Sequence, residues 1–278
     1  MDIAVIGLGL IGGSLARTIK LHTDARVFGC DTDPETVSRA LAMDAVDMEL
    51  NDEKLRGCAM VLVALYPQAA ADWIAAHARL IAPDALVIDC CGVKETMMEA
   101  VMPIARERKW HYIGGHPMAG REYSGFRYAR DDLFDNASMV LTPMPEEELP
   151  ILQKARDFFM DLGFRRVQFT TPPIHDEIVA YTTQLPRILA SAYVRTPMAA
   201  RHKGFSARTF ADMTRDARMN EELWTELFLD NRDALLRELD DLTERLAAYR
   251  DALGRSDAEA LRALLRDGRE RRESLEEA

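Results

Sequence analysis

Short runs of aliphatic and β-branched residues recur along the first part of the chain, at residues 3–6, 26–30, 60–65, 86–89, 111–114, 138–141 and 166–169. They carry few polar positions, the pattern of strands covered on both faces. Between them lie stretches with helical spacing, residues 10–20, 34–41, 68–80, 94–107 and 146–162, several opened by a proline or by an Asp or Thr cap. Strand and helix in alternation predict an α/β fold, a Rossmann-like doubly wound parallel sheet.

The pattern changes at Thr170-Thr171-Pro172-Pro173, a breaker cluster after which no strand-like run appears. The predicted division is a sheet domain over 1–168 and an all-α C-terminal domain over 169–278. In the helical part Phe228, Leu235, Leu239, Leu242, Leu246, Tyr249 and Leu253 fall on one seam of a long amphipathic helix. Two readings of that seam stand, packing within its own domain and a dimer interface. The stretch 255–278 is dense in Arg and Glu, with Leu261, Leu264 and Leu265 as its apolar stripe. It predicts a solvated terminal helix that frays beyond Asp267.

Composition narrows the partners. Among 278 residues, 35 Lys and Arg face 46 Asp and Glu, a formal net charge of −11 that argues against affinity for a phosphate backbone. The longest apolar run, 58–66, is about half of the roughly 18 residues a membrane helix needs. No nucleic acid and no membrane are expected as partners. The N-terminus enters a strand at once, without the basic flank or cleavage site of a signal peptide. Four cysteines, Cys30, Cys58, Cys90 and Cys91, are too few for a disulfide scaffold, so a cytoplasmic location is expected. No metal site is expected.

Directly after the first strand comes Gly7-Leu8-Gly9-Leu10-Ile11-Gly12. In a G-x-G-x-x-G turn one glycine permits the tight turn, the second admits a pyrophosphate to the backbone, and the third lets helix pack on strand. The phosphates then meet free N–H groups at the helix N-terminus. The second strand ends at Asp31, 19 residues after Gly12, where a carboxylate can take the two ribose hydroxyls. Asp31 would repel a 2′-phosphate, which favours NAD over NADP. A glycine turn without ligand and a flavin site are the lesser alternatives, and Arg39 is read as facing solvent.

The segment Gly114-Gly115-His116-Pro117-Met118-Ala119-Gly120 is expected on a loop at the carboxyl end of the sheet, where open α/β folds bind ligands. A histidine there can act as a general base near neutral pH. His22, His77, His111 and His202 are read as structural. With this segment the chain resembles the prephenate/arogenate dehydrogenase family of tyrosine biosynthesis. The likeness rests on the glycine turn, Asp89-Cys90-Cys91-Gly92-Val93-Lys94, the His116 block, His175-Asp176, Thr183-Gln184-Leu185-Pro186, and Phe210-Ala211-Asp212-Met213-Thr214-Arg215.

The resemblance implies NAD-dependent oxidative decarboxylation of a cyclohexadienol, prephenate to 4-hydroxyphenylpyruvate or alternatively arogenate to tyrosine. It implies that His116 is the catalytic base, that Arg215 binds a substrate carboxylate, and that Gln184 and Gly92 lie at the substrate. It also implies a homodimer formed through the helical half, with the cofactor on residues 1–168. For Arg215 the residues alone also allow a surface ion pair with Asp212 or Asp216. Lys94 is placed beside the cofactor crevice, either ordering the nicotinamide region or standing simply at a helix start. His175 is open between a local structural role and substrate contact.

Two positions depart from the family's pattern. Gly92 stands where many members have serine, so support for the histidine must come from elsewhere. Arg187 stands where the family often has histidine, and its permanent charge suits the substrate's side-chain carboxylate. A β-hydroxyacid-type dehydrogenase would want a lysine in the helical half, where only Lys203 occurs. A non-catalytic nucleotide-binding protein would have no use for His116 and Arg215. No further regulatory module is expected after the helical half.

Overall fold

The structure, a computed structural model, describes residues 1–121 and 123–277. Eight strands, β1 (Asp2–Ile6), β2 (Arg26–Cys30), β3 (Met48–Glu49), β4 (Met60–Val63), β5 (Leu86–Asp89), β6 (His111–Pro117), β7 (Ser138–Pro143) and β8 (Arg166–Phe169), form one sheet in the order β3-β2-β1-β4-β5-β6-β7-β8. The helices of this part are α1 (Leu10–His22), α2 (Pro34–Ala42), α3 (Asp52–Leu55), α4 (Pro67–His77), α5 (Glu95–Arg108) and α6 (Leu149–Asp161).

Alternate residues of the central strands feed two cores. Ile3, Val5, Met60, Leu62, Leu86 and Ile88 pack with Leu15 and Ile19 of α1 and Phe158 and Phe159 of α6. On the opposite face Ala4, Ile6, Val61, Val63 and Val87 pack with Ile74 of α4 and Met97 and Val101 of α5. Both faces are covered, as a doubly wound fold requires. Strand β1 lies between β2 and β4, so the chain order reverses there and opens a crevice at the strands' carboxyl ends.

Three expectations change. The sheet is not wholly parallel, because β7 runs antiparallel to β6. Among the described residues its connection from β6 holds only a short 3-10 turn, Phe126–Tyr128, and no crossover helix to carry a parallel return. Strand β6 therefore extends to Pro117, with His116 opposite Val140 of β7, rather than stopping at 114. The edge strand β3 was not anticipated, since two exposed residues carry no periodicity.

The compact unit Met1–Asn231 also contains α7 (Pro172–Val179), α8 (Leu185–Val194), α9 (Arg208–Thr214) and α10 (Glu221–Asp230). A π-helical turn, Ala180–Gln184, joins α7 to α8 without a break. Pro186 explains it: proline has no N–H for the carbonyl four residues back, and its ring crowds that group, so the helix widens.

The second unit, Arg232–Ala278, holds α11 (Arg232–Gly254) and α12 (Ala258–Glu277). The expected single seam is interrupted at Asn231: Phe228 belongs to α10, while the leucines from Leu235 onward lie on α11. The Tyr249 hydroxyl of α11 donates to the Leu264 carbonyl of α12. Leu246 and Leu253 remain exposed. Helix α12 continues past the expected fray at Asp267, bridged by Arg271 with Asp267, Arg269 with Glu273 and Arg272 with Glu276. The last residue of the expected terminal stretch, Ala278, lies outside the described residues. No helix among the described residues is long and apolar enough to cross a membrane.

Candidate active site

The glycine turn divides its labour by position. Gly7 has φ of +82°, a left-handed conformation, and any Cβ there would press on the Ala64 carbonyl. A Cβ on Gly12 would collide with the Gly7 carbonyl, so α1 can approach β1 only with glycine at this place. Beside Gly9 there is open space on the side a Cβ would take. Helix α1 has no side-chain cap, which leaves its first N–H groups for an anion. Leu10 and Ile11 are half-buried, while the Leu8 side chain is wholly in the core.

The Leu8 backbone N–H donates to Asp31 Oδ2 at 2.8 Å, and Asp33 N–H donates to Oδ1 at 3.0 Å. The carboxylate is thus fixed at the end of β2 with acceptor capacity left on each oxygen. Arg39 pairs with Glu35 on the exposed face of α2. An open cradle, uncapped N–H groups and an oriented carboxylate fit a dinucleotide.

His116 lies within β6, not on a loop, and is only partly covered. Its Nδ1 is 2.9 Å from His175 Nε2, and His175 Nδ1 is 2.6 Å from Asp176 Oδ1. This chain fixes the tautomers. The carboxylate can only accept, so His175 donates from Nδ1 and presents a bare Nε2. His116 then donates from Nδ1, leaving its own Nε2 unprotonated and without a partner among the described residues.

Burial pushes the His116 pKa well below the ordinary value, and the charges of His175, Lys94 and Arg187 act in the same direction. Burial lowers His175 as well, against the opposing pull of Asp176. His116 is thereby held as a neutral base. His175 is engaged locally at both ring nitrogens, by His116 and by Asp176.

Asp176 is an organising group. Its Oδ1 and Oδ2 accept the Lys94 and Glu95 N–H groups at 2.9 Å each, holding the start of α5, and its carbonyl accepts from Asn231 Nδ2 at 2.8 Å. Lys94, expected beside the cofactor crevice, is turned inward instead. Its side chain is fully buried, ion-paired with Asp89 and donating to the Gly115 carbonyl at 2.6 Å. Tyr112 donates to the other Asp89 oxygen at 2.7 Å. This buried cluster anchors the strand end that carries His116.

Gln184, expected at the substrate, is also inside. Its Nε2 donates to the Leu227 carbonyl at 3.0 Å and its Oε1 accepts from Asn231 at 2.9 Å, so both ends of the amide are engaged. Gly92 abuts Leu227, whose Cδ2 would be 3.1 Å from any Cβ there. No side chain at 92 supports His116; the support comes through His175. Cys90 is pushed up to about 12 by burial, and Cys91 is raised well above its ordinary value for the same reason, so neither supplies a thiolate.

Arg187 is half-buried on α8, its guanidinium 4.1 Å above the Trp224 ring, with Nη1 donating to the Thr183 carbonyl. Arg215 begins a 3-10 turn, Arg215–Ala217, with its side chain 62% exposed and 3.5 Å from Asp216. Asp212 pairs instead with Arg208. Arg187 lies within electrostatic reach of both Arg215 and His116. The fold thus gathers His116, Arg187 and Arg215 around one region. Trp224, Asn231 and the His175 relay were not singled out as site components, although the family likeness extends to the segments beginning at Trp224 and Asn231 and includes His175-Asp176.

The fold and the cradle define a nucleotide-binding α/β protein with a helical C-terminal part. Residues 15–168 match the prephenate dehydrogenase nucleotide-binding domain and residues 171–267 the prephenate dehydrogenase dimerization domain. The chain belongs to the prephenate dehydrogenase family, which places it among the oxidoreductases. It is similar to a prephenate dehydrogenase of Bacillus subtilis, 27% identical over 98% of this chain and 76% of that protein. A cyclohexadienyl dehydrogenase of Zymomonas mobilis is 28% identical over 93% and 90% respectively. The crystal structure of prephenate dehydrogenase from A. aeolicus, in complex with hydroxyphenyl propionate and NAD+, shares the fold with a TM-score of 0.88, at 24% identity over 99% of this chain and 98% of that one.

Proposed function

We propose that the protein is an NAD-dependent prephenate dehydrogenase of tyrosine biosynthesis, converting prephenate to 4-hydroxyphenylpyruvate. The observation that carries this reading is the bare Nε2 of a neutral His116, fixed by the chain to Asp176. Bound NAD+ supplies the hydride acceptor. His116 takes the proton of the ring hydroxyl as hydride leaves the same carbon, and loss of the ring carboxylate as CO2 returns its electron pair to the ring. The phenolate so formed recovers its proton from His116, and charge balances across the reaction.

Arg215 and Arg187 hold the two carboxylates, since guanidinium forks suit them. Gly7 to Gly12 cradle the pyrophosphate and Asp31 takes the adenosine ribose hydroxyls. Lys94 and Gln184 act indirectly, by fixing the β6 end and the helix pair. We assign residues 1–168 to the cofactor and 169–278 to substrate and dimer, and a homodimer predicts twice the 31.3 kDa chain mass in sedimentation. The four free thiols suit a cytoplasmic setting.

The direct experiment follows NADH absorbance with purified protein, NAD+ and prephenate, and with arogenate in parallel. Turnover of prephenate at higher kcat/KM is expected. Preference for arogenate would reassign the substrate, and no turnover of either would remove the reading.

A further inference from the structure

We propose that Arg187 selects the charge of the substrate's side chain, favouring a cyclohexadienol that ends in an α-keto acid over one that ends in an α-amino acid. The inference rests on the dehydrogenase reading above and adds to it the group that distinguishes the two substrates.

Arg187 is a half-buried cation with no carboxylate in direct contact. No carboxylate lies within 4.0 Å of it among the described residues, and its face is closed by Trp224 at 4.1 Å. One of its five N–H donors goes to the Thr183 carbonyl. The remaining donors make no hydrogen bond to a described residue and are available to a ligand. Burying a charge in this way is costly unless a partner arrives, and a substrate carboxylate is such a partner.

The other charged groups that act on Arg187 are Arg215 and Asp216, and Asp216 is itself engaged by Arg215 at 3.5 Å. Two cations and one anion leave this end of the site positive. A side-chain carboxylate gripped by Arg187 brings the neighbouring carbon's substituent close to the guanidinium. A keto oxygen there meets N–H donors. An ammonium there meets a like charge at short range in a half-dry setting, and Asp216, shared between two guanidinium groups, offsets it only in part. Discrimination by repulsion of the wrong ligand follows.

The test measures kcat/KM for prephenate and arogenate in the unaltered protein, in Arg187→Gln and in Arg187→Lys. Arg187→Gln should lower the prephenate value at least about tenfold, mainly through KM, while arogenate changes less than about threefold, so the ratio shifts about tenfold or more. Arg187→Lys, which keeps the charge but loses the fork, should retain most of the ratio. An unchanged ratio in Arg187→Gln, whether both values fall or neither does, would overturn the proposal and leave the dehydrogenase reading standing. Failure of the unaltered protein to oxidise either substrate would remove both.

A second measurement needs no variant. In the unaltered protein with NADH, 4-hydroxyphenylpyruvate should bind at least about tenfold more tightly than tyrosine, which differs from it in the same substituent. Equal affinities would overturn the proposal even if Arg187→Gln does not fold.

Discussion

Strand β6 carries a histidine near each end, and the two are partnered differently. His111, at the amino end, sets its Nδ1 2.7 Å from the carboxylate of Glu147, which is itself almost wholly buried. That contact ties the strand to the turn before α6. His116, toward the carboxyl end, is one imidazole removed from its carboxylate, because His175 stands between it and Asp176. The intervening histidine transmits orientation, while burial keeps the His116 ring neutral. The spacing of the anion from the imidazole separates a strut from a base, and the base sits at the end of the sheet where α/β folds bind ligands.

The most severe way to break the contrast is His116→Asn, which should lower kcat by about two to four powers of ten with NAD+ affinity nearly unchanged. Near-normal turnover would mean that another group takes the proton. Next is His175→Phe, which fills the space but accepts nothing from His116. It should cost about tenfold to a hundredfold in kcat, with partial recovery in His175→Gln, whose amide oxygen can accept. Equal loss in both variants would reduce His175 to packing.

A third, milder test is the pH profile. Because its pKa is lowered, His116 stays neutral on acidification past the ordinary value of 6.5, and the acid limb of kcat/KM should fall below that pH. A limb at or above it would contradict the neutral-base reading. Folding stability should respond in the same window. Unfolded His116 takes a proton near 6.5 and the folded ring does not, so stability declines as pH drops below that value until the folded ring also protonates. The smallest effect belongs to the other end of the strand. His111→Ala should leave kcat/KM within about twofold and cost about 1–2 kcal/mol in denaturant unfolding, since Glu147 loses its imidazole partner. Lost activity there would erase the distinction between the two ends.

What the sequence disclosed follows the same division between local and assembled features. The glycine turn was legible because its three glycines act within six residues, and the buried strands were legible because burial on both faces writes a continuous apolar run. His116 was found by its neighbours, but its place within β6 was not, since that depends on β7 pairing from the opposite direction. The relay joins residues 59 apart in the chain, and no local pattern announces that His175 Nε2 will meet His116. Gln184 and Lys94 show the converse. Gln184 was read at the substrate, and Lys94 as either ordering the nicotinamide region or standing at a helix start, yet both side chains complete hydrogen-bond networks inside the protein, and a motif cannot tell an inward side chain from an outward one.

The widened turn at Ala180–Gln184 sets the angular phase between the relay and the selector. His175 and Arg187 are twelve residues apart on one continuous helical stretch. In an unbroken α-helix, at about 100° per residue, twelve steps would leave them about 120° apart around the axis. A single π turn takes up one residue, and the eleven effective steps bring them to within about 20° of the same azimuth. Deleting one residue from that turn would leave a plain α-helix with Arg187 still in phase with His175, whereas closing the turn at unchanged length would swing Arg187 away like a key turned a third of the way round.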